Sequence, residues 1–316
     1  LLTGCTTSSA KKVDSKYVVA SLEKGNKTKN IFADNLYKDI IDNSSNNSTV
    51  FNAVLQNLVD QKFPVNDDMK EDAATIIKQI KSAYKSNYGD NYKDSLNQAL
   101  TSAGYKNLSE YRQKMIKQIQ YANFLLDYID DHFDDVFNDY YQQCAPKYVS
   151  LIKISVSDTS SPTDDETSKL NEVKELISNT DKSFGDIAQD YSNDSTSSKK
   201  GSLGIVDSKD TSGIANSYGK DVFNAIEALS EGQVSDVITG DNGYYFVKVT
   251  STDKKTLKKE LKKTDIDSPL LAYDDYLQYV VYNSYKINYK DKDIKKIVQE
   301  VVNKALEERK TERGEA

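Results

Sequence analysis

Between residues 31 and 144, apolar residues recur at the three- and four-residue spacing of amphipathic helices. The pattern breaks at Pro64, and Asn66 or the aspartates that follow it can cap the next helix. Ser109 is the expected N-cap of the longest helix. Each segment carries one apolar stripe, which predicts helices packed on one another and no sheet in this part. The stripes are Phe32, Leu36, Ile40 and Ile41; Val50, Val54, Leu55, Leu58 and Val59; Ile76, Ile77, Ile80 and Tyr84; and Met115, Ile119, Ala122, Leu125, Leu126 and Ile129.

A different pattern occupies residues 148–249. It opens with the β-type run 148–156 and continues through an amphipathic helix that ends at residue 192. A glycine turn follows at Gly201 and Gly204, and a last β-type run closes the stretch. This order of elements resembles the parvulin-type peptidyl-prolyl isomerase domain.

The resemblance implies a four-stranded antiparallel sheet with helices around it. The helical part before it is similar to the N-terminal domain of the PrsA and SurA family of extracytoplasmic foldases, in which the C-terminal tail returns to the N-terminal helices. We therefore expect an α+β chain: a helical chaperone lobe built from both ends, with an inserted parvulin-like domain. The expected divisions are 1–30, a tether with either a first strand or the entry to the helices; 31–146, helical; 147–252, parvulin-like; and 253–316, returning helices.

The tail is predicted to form two helices, at residues 273–285 and 293–306, followed by a frayed, highly charged end. Six lysines lie within residues 251–263. We interpret them as a solvated linker or helix start, with a membrane-surface role as the alternative.

Composition narrows the function classes. The formal net charge of −7 over 316 residues disfavours a general nucleic-acid binder, which needs a basic face. The two cysteines, Cys5 and Cys144, do not form a disulfide framework. Neither a phosphate-binding glycine loop nor a Cys/His metal cluster is present in the sequence, so we expect no cofactor and no metal.

The resemblance can be carried over position by position. Parvulins isomerise the amide without covalent chemistry, in a pocket where two histidines orient the site, a Cys or Asp points at the peptide bond and apolar residues hold the proline ring. The two histidine positions fall on Lys153 and Tyr245, so both histidines are replaced. The Cys/Asp position falls on Asp194, and the ring-holding Phe on Phe223.

One further pocket position departs from the family. The apolar residue four positions before Phe223 falls on Gly219, with Tyr218 beside it. Lys153 and Tyr245 are expected to replace the histidine pair by a hydrogen bond from the lysine to the tyrosine oxygen. Asp194 is thus the candidate catalytic residue, while Phe223, Lys153, Tyr245 and Tyr218 would line the proline pocket.

Other catalytic templates fit less well. The single histidine, His132, lies in the helical part and is interpreted as a surface residue. It cannot restore a histidine pair, and one imidazole is not a metal site. Cys144 is interpreted as a buried structural thiol rather than a nucleophile.

The N-terminus resembles the lipobox of bacterial lipoproteins. Leu1, Leu2, Thr3 and Gly4 precede Cys5, and a small polar run follows. In a lipobox the cysteine sulfur carries diacylglycerol, and two acyl chains suffice for stable anchoring. This implies a lipid anchor at Cys5 on the extracytoplasmic face of a Gram-positive-type cell membrane.

Three functions remain open at this stage. The first is a membrane-anchored foldase that assists unfolded or nascent secreted polypeptides after translocation, with reduced or lost isomerase activity. The second is an active isomerase using Asp194 and Phe223. The third is a lipoprotein adaptor dedicated to one secreted partner. A homodimer is compatible with each, although nothing in the sequence specifies it.

Overall fold

The computed structural model describes residues 12–315 except 25, 26, 180, 241, 263 and 264. The strands are β1 (Lys12–Val13), β2 (Lys16–Lys24), β3 (Lys27–Phe32), β4 (Lys147–Ser155), β5 (Ser202–Val206), β6 (Ile238–Gly240) and β7 (Gly243–Ser251). The helices are α1 (Ala33–Ile41), α2 (Asn47–Lys62), α3 (Asp67–Tyr88), α4 (Tyr92–Ser102), α5 (Leu108–Asp131), α6 (Phe133–Cys144), α7 (Asp164–Asn179), α8 (Phe184–Tyr191), α9 (Ile214–Tyr218), α10 (Lys220–Ala228), α11 (Lys254–Leu261), α12 (Leu277–Ser284) and α13 (Lys292–Glu312).

The expected α+β class is confirmed, and the chain divides into two compact units. The first combines residues up to 70 with residues from 278 onward, and the second comprises residues 71–277. The N- and C-terminal segments thus share a unit, as expected. The domain boundaries inferred from the sequence stay predictions, because compact units and family domains need not end at the same residue.

In the first unit, α2 packs against α13. The ring of Phe51, which is fully buried, stacks on Tyr279 at 4.9 Å between centroids and meets the edge of Tyr282 at 5.1 Å. Such aromatic pairs add stability beyond the area they bury. Before these helices, β1, β2 and β3 form a small antiparallel sheet, so the apolar patch near residue 17 is a strand.

The cap of α3 is as predicted, whereas the start of α5 and the end of α13 differ from expectation. Asn66 caps α3 by accepting the backbone N–H of Met69 at 2.9 Å, as predicted. The N-cap of α5 is Asn107, not Ser109, because the Asn107 side chain accepts the N–H of Glu110. The charged end predicted to fray is helical as far as Glu312, since short-range pairs such as Lys310–Glu307 at 2.8 Å support it.

In the second unit, the four-stranded sheet has the order β5-β4-β7-β6, with all neighbours antiparallel. Side chains alternate between the two faces along each strand. Leu151 and Val247 belong to the cluster beneath α9 and α10. Ile152 and Phe246 face the opposite cluster, with α7 and α8. Both faces of the sheet are therefore covered, and Lys153 and Tyr245 fall on the α9–α10 side by alternation.

The glycine turn before β5 has a steric cause. Gly201 adopts a φ of +75°, and a Cβ added there would lie 2.4 Å from the carbonyl oxygen of Leu151. The turn therefore brings β5 closer to β4 than any other residue would permit. None of the helices described in residues 12–315 is long and apolar enough to cross a membrane.

Candidate functional site

Lys153 and Tyr245 lie directly opposite each other on β4 and β7. The Lys153 Nζ stands 5.7 Å from the centroid of the Tyr245 ring, which is a cation–π contact. The Tyr245 hydroxyl instead donates to Oδ1 of Asn242 at 2.8 Å. The contact that the structure shows between the two side chains is the cation–π contact, and the expected lysine–tyrosine hydrogen bond stays a prediction. The two residues hold the strands together through charge and ring face, and Tyr245 is 96% buried at 4% exposure.

Tyr218 contacts both Asp194 and Tyr245. Its hydroxyl donates to Oδ1 of Asp194 at 3.4 Å, and its ring meets the Tyr245 ring edge-on at 6.2 Å between centroids. Partial burial, and then the adjacent Asp194 carboxylate, raise the pKa of Tyr218 to about 12. The phenol is therefore neutral at physiological pH and occupies the space between Asp194 and Tyr245.

Asp194 has a local structural task. It caps the short 3₁₀ turn Ser195–Lys199, and its Oδ1 accepts the Thr196 N–H at 2.9 Å and the Thr196 hydroxyl at 2.6 Å. The same oxygen faces Tyr218. A carboxylate engaged in this way is held by its own turn, which leaves less of it available to face a peptide bond.

Phe223 lies half-buried on α10, packed against the cluster over the sheet. The helix begins after Gly219, which has a φ of +100°. The resemblance predicts an apolar side chain at this position, and Gly219 supplies none.

A cleft of about 430 Å³ opens beside Tyr218, Gly219 and Tyr245, whereas Lys153, Asp194 and Phe223 are not among the residues that line it. The ring of Tyr245 forms its inner wall, and a Cβ added at Gly240 would come within 2.6 Å of that ring. Many of the other lining residues are polar. The lining comprises Ala215, Asn216, Ser217, Tyr218, Gly219, Lys220, Asp221, Val222, Ile238, Thr239, Gly240, Asn242 and Tyr245. We call it the polar slot; it suits a hydrated peptide stretch better than a dry proline ring.

The remaining predicted residues lie elsewhere. Cys144 is fully buried at the end of α6. His132 is exposed between α5 and α6, where its ring stacks on Tyr128 at 4.1 Å. Cys5 lies outside the described residues. Among the residues that the structure describes, no group of His, Cys, Asp and Glu is arranged to hold a metal ion.

A second candidate site lies in the first unit and was not expected from the sequence. A groove of about 480 Å³ is formed by α1, α2 and α13, with the segment that leads into α13. Leu36 and Ile40 on α1 are 46% and 47% exposed, respectively, although their helical spacing suggested a packed face. The apolar stripe was the available signal, but the sequence did not show that part of it stays uncovered. The lining comprises Tyr37, Ile40, Ile41, Val50, Ala53, Val54, Asn57, Leu58, Gln61, Ile287 and Ile294. We call it the apolar groove.

One hydrogen bond ties the two sides of the apolar groove. The Tyr37 hydroxyl of α1 donates to Oδ2 of Asp291 at 2.5 Å. Asp291 also caps α13 by accepting the N–H groups of Asp293 and Ile294. The hydrogen bond to Asp291 raises the pKa of Tyr37 to about 12. This contact positions α1 beside α13 at the rim of the groove.

Comparison with known families agrees with this geometry. Residues 151–251 match the family model of the rotamase, PPIC-type PPIase domain. The central part of the chain is therefore similar to parvulin-type peptidyl-prolyl isomerase domains.

Part of the chain is also similar to PrsA foldases. It is 32% identical over 141 residues to the foldase protein PrsA of Staphylococcus epidermidis, a match that covers 42% of this chain and 41% of that protein. The PrsA of Staphylococcus aureus strain RF122 gives the same identity and coverage. The match thus spans less than half the length of these relatives.

Among solved structures, PrsA from Bacillus subtilis is similar over 89% of this chain and 98% of its own, with 22% identity and a TM-score of 0.40. PrsA from Streptococcus pneumoniae is similar over 89% of this chain and 99% of its own, with 19% identity and a TM-score of 0.40.

Proposed function

We propose that this protein is an extracytoplasmic foldase that assists unfolded or nascent secreted polypeptides, with a parvulin-like domain of reduced or lost isomerase activity. The homology to PrsA foldases supports the foldase role. The apolar groove in the first unit is the observation that carries the chaperone part of the proposal.

The groove has the properties that an unfolded client requires. Exposed apolar surface is costly in water, so a groove whose lining residues Tyr37 and Ile40 are 40% and 47% exposed favours binding of apolar side chains. Burial of one aliphatic side chain contributes about 1.5–3 kcal/mol. The polar lining residues of the apolar groove, Tyr37, Asn57 and Gln61, can hydrogen-bond to the backbone of an extended segment.

Suppression of client aggregation tests the chaperone role directly. A chemically denatured client is diluted into buffer with the full chain, and light scattering is followed. We expect scattering to fall as the chain is added in stoichiometric amounts. Unchanged scattering at excess chain would contradict the proposal.

The proposal of weak isomerase activity rests on the polar slot. Prolyl isomerisation has to lower a barrier of about 18–20 kcal/mol, which needs a dry site that favours the twisted amide. Here Tyr218 contacts Asp194, and Gly219 supplies no side chain at the position where the resemblance predicts an apolar one.

A protease-coupled assay on a series of X-Pro peptides tests this part, with Asp194→Ala as the comparison. We expect both proteins to isomerise the peptides near the uncatalysed rate. Clear acceleration that disappears in Asp194→Ala would show instead that Asp194 and Phe223 form an active site.

Membrane anchoring through Cys5 belongs to the same proposal and depends on the lipobox. In a Gram-positive host that expresses the precursor with its signal peptide, Cys5→Ser should move the protein from the membrane fraction to the medium. An unchanged membrane fraction would contradict lipidation at Cys5.

A further inference from the structure

A third groove, in the second unit, differs from the two sites above in its charge. It has a volume of about 470 Å³ and lies between α3 and α5. Ile77 is buried and Leu108 half-buried, and they form its apolar floor; the exposed residues Ala74, Lys78, Lys81, Ser109 and Arg112 complete the lining, and its basic members form the rim. We call it the basic groove.

The two lysines of the rim project from one helix. Lys78 and Lys81 are three residues apart on α3, so they lie on the same side of it, and both are exposed. Within the described part of the chain, neither lysine forms an ion pair with a carboxylate. By contrast, Lys258 pairs with Asp134 at 2.8 Å in the same unit.

The charge of the rim is opposite to that of the chain as a whole, which has a net charge of −7. The floor adds an apolar contact, because Ile77 is 7% exposed and Leu108 is half-buried. The groove thus combines an apolar floor with cationic groups above it.

We propose that the basic groove binds client segments in which an acidic residue flanks an apolar side chain. The apolar side chain would lie against Ile77 and Leu108, while the carboxylate pairs with Lys78 or Lys81. This inference rests on the proposed foldase function and names a class of client segment for it. The apolar groove would take uncharged segments, and the basic groove would take acidic ones.

The shape favours a peptide over an anionic membrane. A membrane surface is broad and attracts lysines that project outward, with about 1 kcal/mol for each basic residue near it. The three cations here surround a concave space of about 470 Å³ with an apolar floor. A side chain can enter such a space, whereas a lipid surface as a whole cannot.

The test uses the full chain and three labelled peptides that share one leucine pattern and carry glutamate, glutamine or lysine at the polar positions. Binding is measured by fluorescence anisotropy. The glutamate peptide should bind more tightly than the glutamine peptide and lose this advantage at high salt, because salt screens exposed charges.

The charge-reversed variant Lys78→Glu/Lys81→Glu should weaken binding of the glutamate peptide by roughly tenfold and leave the glutamine peptide unchanged. The matched control is Lys255→Glu/Lys259→Glu, two exposed lysines on α11 in the same unit, with the same change in net charge. The control should bind like the unmodified chain.

Three results would overturn the inference. The first is equal binding of the glutamate and glutamine peptides, and the second is an equal loss of glutamate-peptide binding in both double variants. The third is that Lys78→Glu/Lys81→Glu loses binding to phosphatidylserine vesicles while its binding of the peptides is unchanged. Each of these is compatible with the foldase role. Failure of that role has a different signature, since none of the peptides would then bind and client aggregation would not be suppressed.

Discussion

The polar slot and the apolar groove have similar volumes, about 430 and 480 Å³, but they differ in what they offer a polypeptide. The slot retains the parvulin frame and fills it with tyrosines. Tyr218 and Tyr245 meet edge-on within it, at 6.2 Å between ring centroids. The groove leaves Ile40 uncovered on α1. The second unit therefore has the parvulin-like sheet, with tyrosines in the polar slot. The first unit lacks this sheet and contains the apolar groove.

This contrast indicates that the parvulin-like fold and prolyl isomerase activity can be considered separately. The backbone ladder pairs β4 with β7, and Lys153 and Tyr245 add a cation–π contact across it. The resemblance predicts that these two residues stand where the family has the histidines that orient its proline pocket. Fold membership alone thus does not decide whether the domain is an enzyme.

The largest expected effect concerns the core beneath the apolar groove. Phe51→Ala should destabilise the first unit by about 3–5 kcal/mol, because the ring is fully buried and packs on Tyr279 and Tyr282. Urea unfolding followed by circular dichroism measures the loss. The exposed aromatic Tyr88 supplies the control, since Tyr88→Ala should change stability by less than about 0.5 kcal/mol. Equal losses in both variants would contradict the packing described for this unit.

A smaller effect is expected at the helix that carries Phe223. Lys147→Met should cost about 1–3 kcal/mol, because the substitution leaves partly buried carbonyls at the end of α10 without their donor. Urea unfolding should shift while client aggregation is still suppressed. If suppression were lost together with stability, the slot would matter to chaperone function more than we propose. The Lys147 Nζ donates to the carbonyls of Ile226 at 3.0 Å, Glu227 at 2.7 Å and Leu229 at 3.0 Å.

The smallest expected effect is a change in the pKa of one tyrosine in each region. The pKa values of Tyr37 and Tyr218 are both raised to about 12, but Tyr37 owes this mainly to its hydrogen bond with Asp291, and Tyr218 mainly to burial. Asp291→Asn should therefore return the pKa of Tyr37 close to 10, while Asp194→Asn should lower that of Tyr218 only in part. Carbon-13 NMR titration of labelled tyrosines, assigned with Tyr→Phe variants, measures both values.

The sign of the linked stability change follows from the raised pKa. Both phenols are neutral in the folded state until about pH 12, whereas an unfolded tyrosine ionises near pH 10. Their contribution is present below pH 10 and is lost as the pH rises from 10 to 12. Equal drops in pKa in the two variants would contradict the different surroundings assigned to the two tyrosines.

Much of the fold was predictable from local patterns. The alternation in β4 and β7 and the Pro64 break before α3 follow from spacing and backbone chemistry. The start of α5 was misplaced by two residues, because Asn107 and Ser109 are both good caps and only the three-dimensional chain path selects one. The charged end of α13 was missed, since its short-range pairs form only once the helix exists.

The site was harder to predict than the fold. Alignment to the family placed Lys153, Tyr245, Asp194 and Phe223, but it did not show that Tyr218 reaches Asp194. The apolar groove was hidden because periodicity indicates which face of α1 is apolar and not whether another element covers it.

The central claim is that client binding depends on the apolar groove and not on the candidate catalytic residue Asp194, which contacts Tyr218 beside the polar slot. Its most direct test is suppression of client aggregation by two full-length variants, Ile40→Glu and Asp194→Ala, measured side by side by light scattering. Ile40 is 47% exposed, so its replacement should leave the fold intact while weakening client affinity about tenfold. We predict that Ile40→Glu loses suppression and Asp194→Ala retains it. Retained suppression in Ile40→Glu, with loss in Asp194→Ala, would contradict the claim.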